Sequence, residues 1–179
     1  MKSTLDLEKH NQILRHLTQL PRKMLSIHGR DNVASFVLFD LCHENGFDLK
    51  RAAYFVDNPD FNCFKGIAGV HREEHNIHQN CCNIWESPDH YTTLVADSMF
   101  NKTIRDVERE SIERNKQSAK DTIYMLASDL DFKNPAFYTW PMKHENRGYF
   151  LFDNTSTAPS ELDEHFTECI HLFSFCPIA

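Results

Sequence analysis

No uninterrupted apolar run of the roughly 18 residues that a membrane-spanning helix requires occurs in this chain, so a transmembrane helix is excluded. Glycine and proline are scarce, at 5 and 7 of 179 residues, which rules out collagen-like or linker-like character. Basic residues are the minority: 19 Lys and Arg against 26 Asp and Glu leave a net charge of −7. That balance disfavours nucleic acid and anionic membrane surfaces as broad partners. The chain has no C-x-x-C pair, no G-x-S-x-G, no phosphate-binding loop and no dinucleotide fingerprint. The segment from Met1 to Gln19 is polar and amphipathic, without an apolar signal-peptide core, so the expected location is cytoplasmic. Six cysteines in that setting are expected to stay reduced.

What remains is an ordinary globular composition, 41% hydrophobic and 25% charged, with 14 Phe. The length predicts a single domain over residues 1–179. A chain of this size buries about 70% of the surface it exposes when unfolded, so it needs neither disulfides nor metal to fold.

Ser3 and Asp6 sit at capping-box spacing before an apolar series at 3–4 residue steps (Leu7, Ile13, Leu14, Leu17, Leu20), which predicts a helix over 5–20 ended by Pro21. A second helix is predicted from Val33 to Glu44, apolar almost all round and so deeply buried. Gly46 suits a left-handed position just past its end. The segment from Asp48 to Val56 fits a short helix or a strand equally, and Asp57-Asn58-Pro59-Asp60 is a turn in either case. Helices are expected from Val70 to Glu86 and from about Leu94 to Leu130, with a break near Asn115. Aromatic runs at Ala136–Trp140 and Gly148–Phe152 predict a hairpin, followed by a helix over Glu161–Cys169 and a last strand over His171–Cys176. The expected class is α+β, helix-rich in the N-terminal two-thirds, with a small antiparallel sheet or hairpin near the C-terminus. Tyr54-Phe55-Val56-Asp57-Asn58 is echoed by Tyr149-Phe150-Leu151-Phe152-Asp153-Asn154, but two copies at unequal spacing do not make a repeat.

The chemistry concentrates in His71-Arg72-Glu73-Glu74-His75-Asn76-Ile77-His78-Gln79-Asn80-Cys81-Cys82. On a helix turning about 100° per residue, His71, His75, His78 and Cys82 fall within about 60° of one another. They form a stripe along the border of the buried face. Neutral imidazoles at i and i+4 can share one ion, so the stripe is a candidate site for a divalent metal, zinc or iron. His71 and His78 lie about 10 Å apart along such a helix, so a pair of histidines would need a further ligand. Cys63, His90, His43, His144, Glu145, Asp153 and His171 are the available types.

His71-Arg72-Glu73-Glu74-His75 fits H-x-x-E-H and resembles the inverted zinc-peptidase signature over those five residues. The same pattern occurs in S-ribosylhomocysteine lyase, a small α+β metalloenzyme. The resemblance implies that His71 and His75 hold zinc and that Glu74 serves as general base for a metal-bound water, a metal-dependent hydrolase. Cys82 is also the better candidate for a reactive thiol, because Cys81 lies on the apolar face.

A second reading is a non-enzymatic regulatory or interaction domain that binds DNA through a helix-turn-helix over 33–55. Gly46 would lie in its turn, and Lys50 and Arg51 on its reading helix. The acidic balance makes phosphate attraction weak. Self-association is open to either reading.

Overall fold

The computed structural model describes residues 4–43, 46–74, 84–153 and 163–177. Within them the chain runs α1 (Thr4–Ser26), α2 (Val33–Cys42), β1 (Arg51–Asn58), β2 (Cys63–His71), α3 (Pro88–Asp97), α4 (Met99–Arg105), β3 (Glu108–Arg109), α5 (Ala119–Asp129), β4 (Pro135–Pro141), β5 (Arg147–Asp153) and α6 (Asp163–Ile170), closed by a 3-10 turn at His171–Phe175. The five strands form one antiparallel sheet in the order β3-β2-β1-β5-β4.

This corrects the expected fold class. The sheet is not a small C-terminal one: its strands occupy the middle of the chain, with helices before and after. The reason lies in how β1 and β2 are buried. Along β1, Ala52, Tyr54 and Val56 pack into one cluster and Ala53 and Phe55 into another, on opposite faces. A strand covered on both faces shows no alternation of apolar and polar residues, so period 2 disappears from its sequence. The first face carries α1, α2, α6 and the closing turn; the second carries α4 and α5.

Other boundaries move for local reasons. Pro21 does not end α1, which continues to Ser26. Ile13, Leu17, Leu20, Met24 and Ile27 are all buried at helical spacing across the proline. That continuous stripe outweighs the roughly 3 kcal/mol that an interior proline costs a helix. The expected helix over 70–86 is overturned at its start, because Val70 and His71 end β2 and residues 72–74 are a turn. The expected long helix over 94–130 is divided by Ser98 and Ser118, whose side chains accept from the N–H groups of Asn101 and Asp121 and begin α4 and α5. The last segment is a 3-10 turn, not a strand, and Ser174 within it accepts from Trp140 Nε1 at 2.9 Å. Gly46 serves close approach instead of a left-handed turn, since a Cβ there would lie 2.6 Å from the Asp40 carbonyl oxygen. Ser3 of the expected capping box lies outside the described residues.

All ten residues of α2 are buried, including Asp40. Lys23 Nζ lies 2.9 Å and His16 Nε2 3.2 Å from Asp40 Oδ2, so two cationic or polar groups of α1 answer one buried carboxylate. Burial pushes the Asp40 carboxyl up, but His16 and Lys23 together outweigh it and hold it below the usual carboxylate range.

Candidate functional site

β2 carries His71 to one end of the sheet, where it pairs across with Arg51 at the start of β1. Two glycines let α4 settle on β2. A Cβ at Gly66 would fall 1.8 Å from the Ile104 carbonyl oxygen, and one at Gly69 2.4 Å from Ile104 Cγ1. The Gly69 N–H donates to Asn101 Oδ1 of α4 at 3.0 Å. The N-terminus of α4 is thereby fixed beside the turn that follows β2.

Glu74 uses this arrangement. One of its carboxylate oxygens accepts from Ser98 Oγ at 2.8 Å, and both lie within 3.2 Å of the Phe100 N–H. The carboxylate therefore satisfies donors at the start of α4, where negative charge is also favoured by the aligned peptide dipoles. His71 stands next to it. Its side chain is 15% exposed and its ring meets Phe100 edge-on at 5.8 Å. Nδ1 lies 3.9 Å from Glu74 Oε1, and Nε2 lies 3.8 Å from Glu73 Oε2. Burial and the nearby Arg51 cation lower the His71 pKa, against the opposing pull of Glu74, Glu73 and Asp153. The imidazole is held toward its neutral form, the form that binds metals. Arg51 is itself engaged, donating to the Asp131 carbonyl at 2.6 Å and lying over the Phe100 ring.

Of the residues singled out from the sequence, the structure brings His71 and Glu74 together; His75, His78 and Cys82 lie outside the described residues. Among the described residues, no group of three or more His, Cys, Asp or Glu side chains is placed to hold a metal ion. Asp153, at the end of β5, is the further candidate whose charge reaches His71. Cys63 begins β2 and His144 and Glu145 lie in the β4–β5 turn, toward the other end of the sheet. His171 packs edge-on against Trp140, 6.1 Å away. The thiols of Cys169 and Cys176 are buried, which pushes each up to about 12 and makes them poor nucleophiles.

The helix-turn-helix expectation fails on the fold. Arg51 opens a strand in the middle of the sheet, so Lys50 and Arg51 do not lie on a second helix. The structure gives two buried aspartates a role in tying segments to the sheet ends. Asp153 Oδ1 accepts from the N–H groups of Lys133 and Asn134 at 2.8 and 3.0 Å, and Asp57 Oδ2 accepts from the Glu113 N–H at 2.9 Å. The sequence echo of an aromatic run followed by Asp, which falls near the ends of β1 and β5, is the signal that points to them.

No family model, no curated protein and no solved structure matches this chain. No helix among the described residues is long and apolar enough to cross a membrane.

Proposed function

We propose that the chain binds a divalent metal ion, zinc or iron, at the end of β2, with His71 Nε2 as its anchoring ligand. The observation behind this reading is a sheltered, neutral-leaning imidazole with a carboxylate opposite each ring nitrogen. The 3.8 Å between His71 Nε2 and Glu73 Oε2 is too long for a hydrogen bond. It leaves room for one ion bonded to both at about 2.0–2.2 Å. Glu74 Oε1 stands 3.9 Å from Nδ1, likewise beyond a hydrogen bond, and a small closing motion would give it the part of the carboxylate that orients a ligating histidine through its other nitrogen. Its oxygens already accept from Ser98 and Phe100, so we give it that orienting role in preference to proton abstraction. His75, His78 and Cys82 follow Glu74 closely in the chain and are the donors that would complete the set; imidazole, carboxylate and thiolate together suit zinc and iron.

Cobalt titration of the metal-stripped protein followed by visible absorption, with metal analysis of the native protein, tests the reading. The expected result is one equivalent of ion, lost in His71→Ala and weakened about 10- to 100-fold in Glu74→Gln, as for other orienting partners. Absence of bound ion, or unchanged binding in His71→Ala, overturns it.

A further inference from the structure

We infer that the opposite end of the sheet carries a binding cleft for a small basic amino acid, the α-carboxylate seated on Arg114 and the cationic groups on the surrounding acceptors. The cleft has a volume of about 720 Å³, within the range of small-molecule sites. Three chain segments form it: the β1–β2 turn, the stretch between β3 and α5, and the β4–β5 turn. These segments are tied together. Arg147 Nε lies 2.9 Å from Glu113 Oε1, Asp57 Oδ2 takes the Glu113 N–H, and Asn62 Oδ1 accepts from both the Ser111 N–H and Asn115 Nδ2. The walls are therefore cross-braced before any ligand arrives, which lowers the ordering cost of binding.

The charges left over choose the ligand. Asp60, Glu113 and Glu145 face Arg114 and Arg147 around the opening, and only Glu113 and Arg147 pair with each other among the described residues. Asp60, Glu145 and Arg114 have no ion-pair partner among the described residues. Asn146 also lines the cleft, and its Oδ1 is buried with no hydrogen-bond partner. Behind the lining, the fully buried Asp57 holds the Glu113 N–H and so fixes that wall of the cleft. A buried acceptor without a partner is costly, so a donor is wanted at Asn146 Oδ1, in the lining itself. The lining counts three carboxylates against two guanidinium groups, a net −1, and with Glu113 and Arg147 paired the free charges are Asp60 and Glu145 against Arg114. A simple metal ion does not fit the described geometry, because no three ligating side chains converge. An amine or guanidinium group satisfies the acceptors, while Arg114 offers a planar fork that matches a carboxylate. Met142, Pro59 and Pro141 supply the apolar contact for an aliphatic stem.

The experiment is calorimetric titration of the full chain with L-arginine, agmatine and L-glutamate. L-arginine is expected to bind, agmatine about tenfold more weakly for lack of the carboxylate, and L-glutamate not at all. Arg114→Ala should abolish the difference between L-arginine and agmatine, and Glu145→Gln should weaken both, by about tenfold for one charge-assisted hydrogen bond. His71→Ala should leave all three unchanged, since it sits at the other end of the sheet, so failure here and failure of the metal reading are separable. No heat with L-arginine at millimolar concentration, equal binding of L-glutamate, or an Arg114→Ala variant that still prefers L-arginine overturns the inference.

Discussion

Asp57 stands one residue from the end of β1 at one end of the sheet and Asp153 closes β5 at the other, and both carboxylates are buried. Each receives backbone N–H groups from a segment arriving from elsewhere in the chain. At the Asp153 end the saturation is fuller: two N–H groups converge on one oxygen, and α4 lies against the glycines of β2 nearby. At the Asp57 end one N–H is accepted, the second oxygen has no partner among the described residues, and the segments part to leave a cleft. The same device therefore saturates one Asp153 oxygen at one end and leaves an Asp57 oxygen over at the other. Polar groups left unsatisfied in a folded core are unusual enough to call for a reason.

The largest effect is expected where α4 meets β2. In Gly66→Ala the new methyl would meet a backbone carbonyl at 1.8 Å, which cannot rotate away. A loss of about 3 kcal/mol or more is expected, read as a fall in the urea midpoint or a failure to express folded protein. Gly69→Ala meets side chains, Ile104 and Phe100, and no backbone atom among its nearest neighbours, and should cost less. If the two cost the same, α4 is not held on β2 by backbone approach at Gly66.

Next come the two aspartates. Asp153→Ala strands two N–H groups and is expected to cost about 2–4 kcal/mol, while Asp57→Ala strands one and should cost about 1–2 kcal/mol. Asp57→Asn should be milder still, because it removes a buried charge that is only half answered and keeps an acceptor for the Glu113 N–H. Chemical denaturation of the three variants tests the ranking. An Asp57→Ala loss equal to that of Asp153→Ala would show that the two ends are equally saturated and would remove the basis for the comparison.

How much of this could be read beforehand depends on where the partner of each residue lies. The deep burial of α2 follows from Val33–Cys42 being apolar on every side, and the turn at Pro59-Asp60 follows from its own residues. The starts of α4 and α5 were also written locally, as Ser98 and Ser118 three residues before Asn101 and Asp121, but the helical period running through Phe100, Ile104 and Ile123 masked them. His71 was misplaced onto a helix because H-x-x-E-H has helical spacing, whereas its conformation is set by pairing with Arg51, 20 residues earlier in the chain. The nearness of His71 to Glu74 was legible from their spacing. The task of Glu74 was not, since the Ser98 hydroxyl and Phe100 N–H that occupy it lie 24 and 26 residues away.

The smallest effects are those of pH, and they have opposite signs at the two ends. At the Asp153 end His71 has its pKa lowered from an ordinary 6.5, first by burial and then by Arg51. The unfolded chain therefore takes up a proton before the folded one does. The stability that His71 contributes is complete above about pH 6.5 and is lost as pH falls through its folded value. At the cleft end Tyr149 is raised from 10.0 to about 12, first by burial and then by the Asp57 and Glu113 charges. Here the unfolded chain loses its proton first, so the contribution is complete below about pH 10 and is lost as pH rises through about 12. Tyr54 and Tyr91 are raised as well, so Tyr149→Phe removes only its own share of the alkaline limb. Urea midpoints across pH 5–8 for His71→Asn, and across pH 9–12 for Tyr149→Phe, separate the two. Each variant should flatten its own limb and leave the other as it was, because the two groups sit at opposite ends of the sheet and share no contact. A Tyr149→Phe variant that also changed the acid limb would mean that the ends communicate through β1 and β5 and cannot be treated as separate sites.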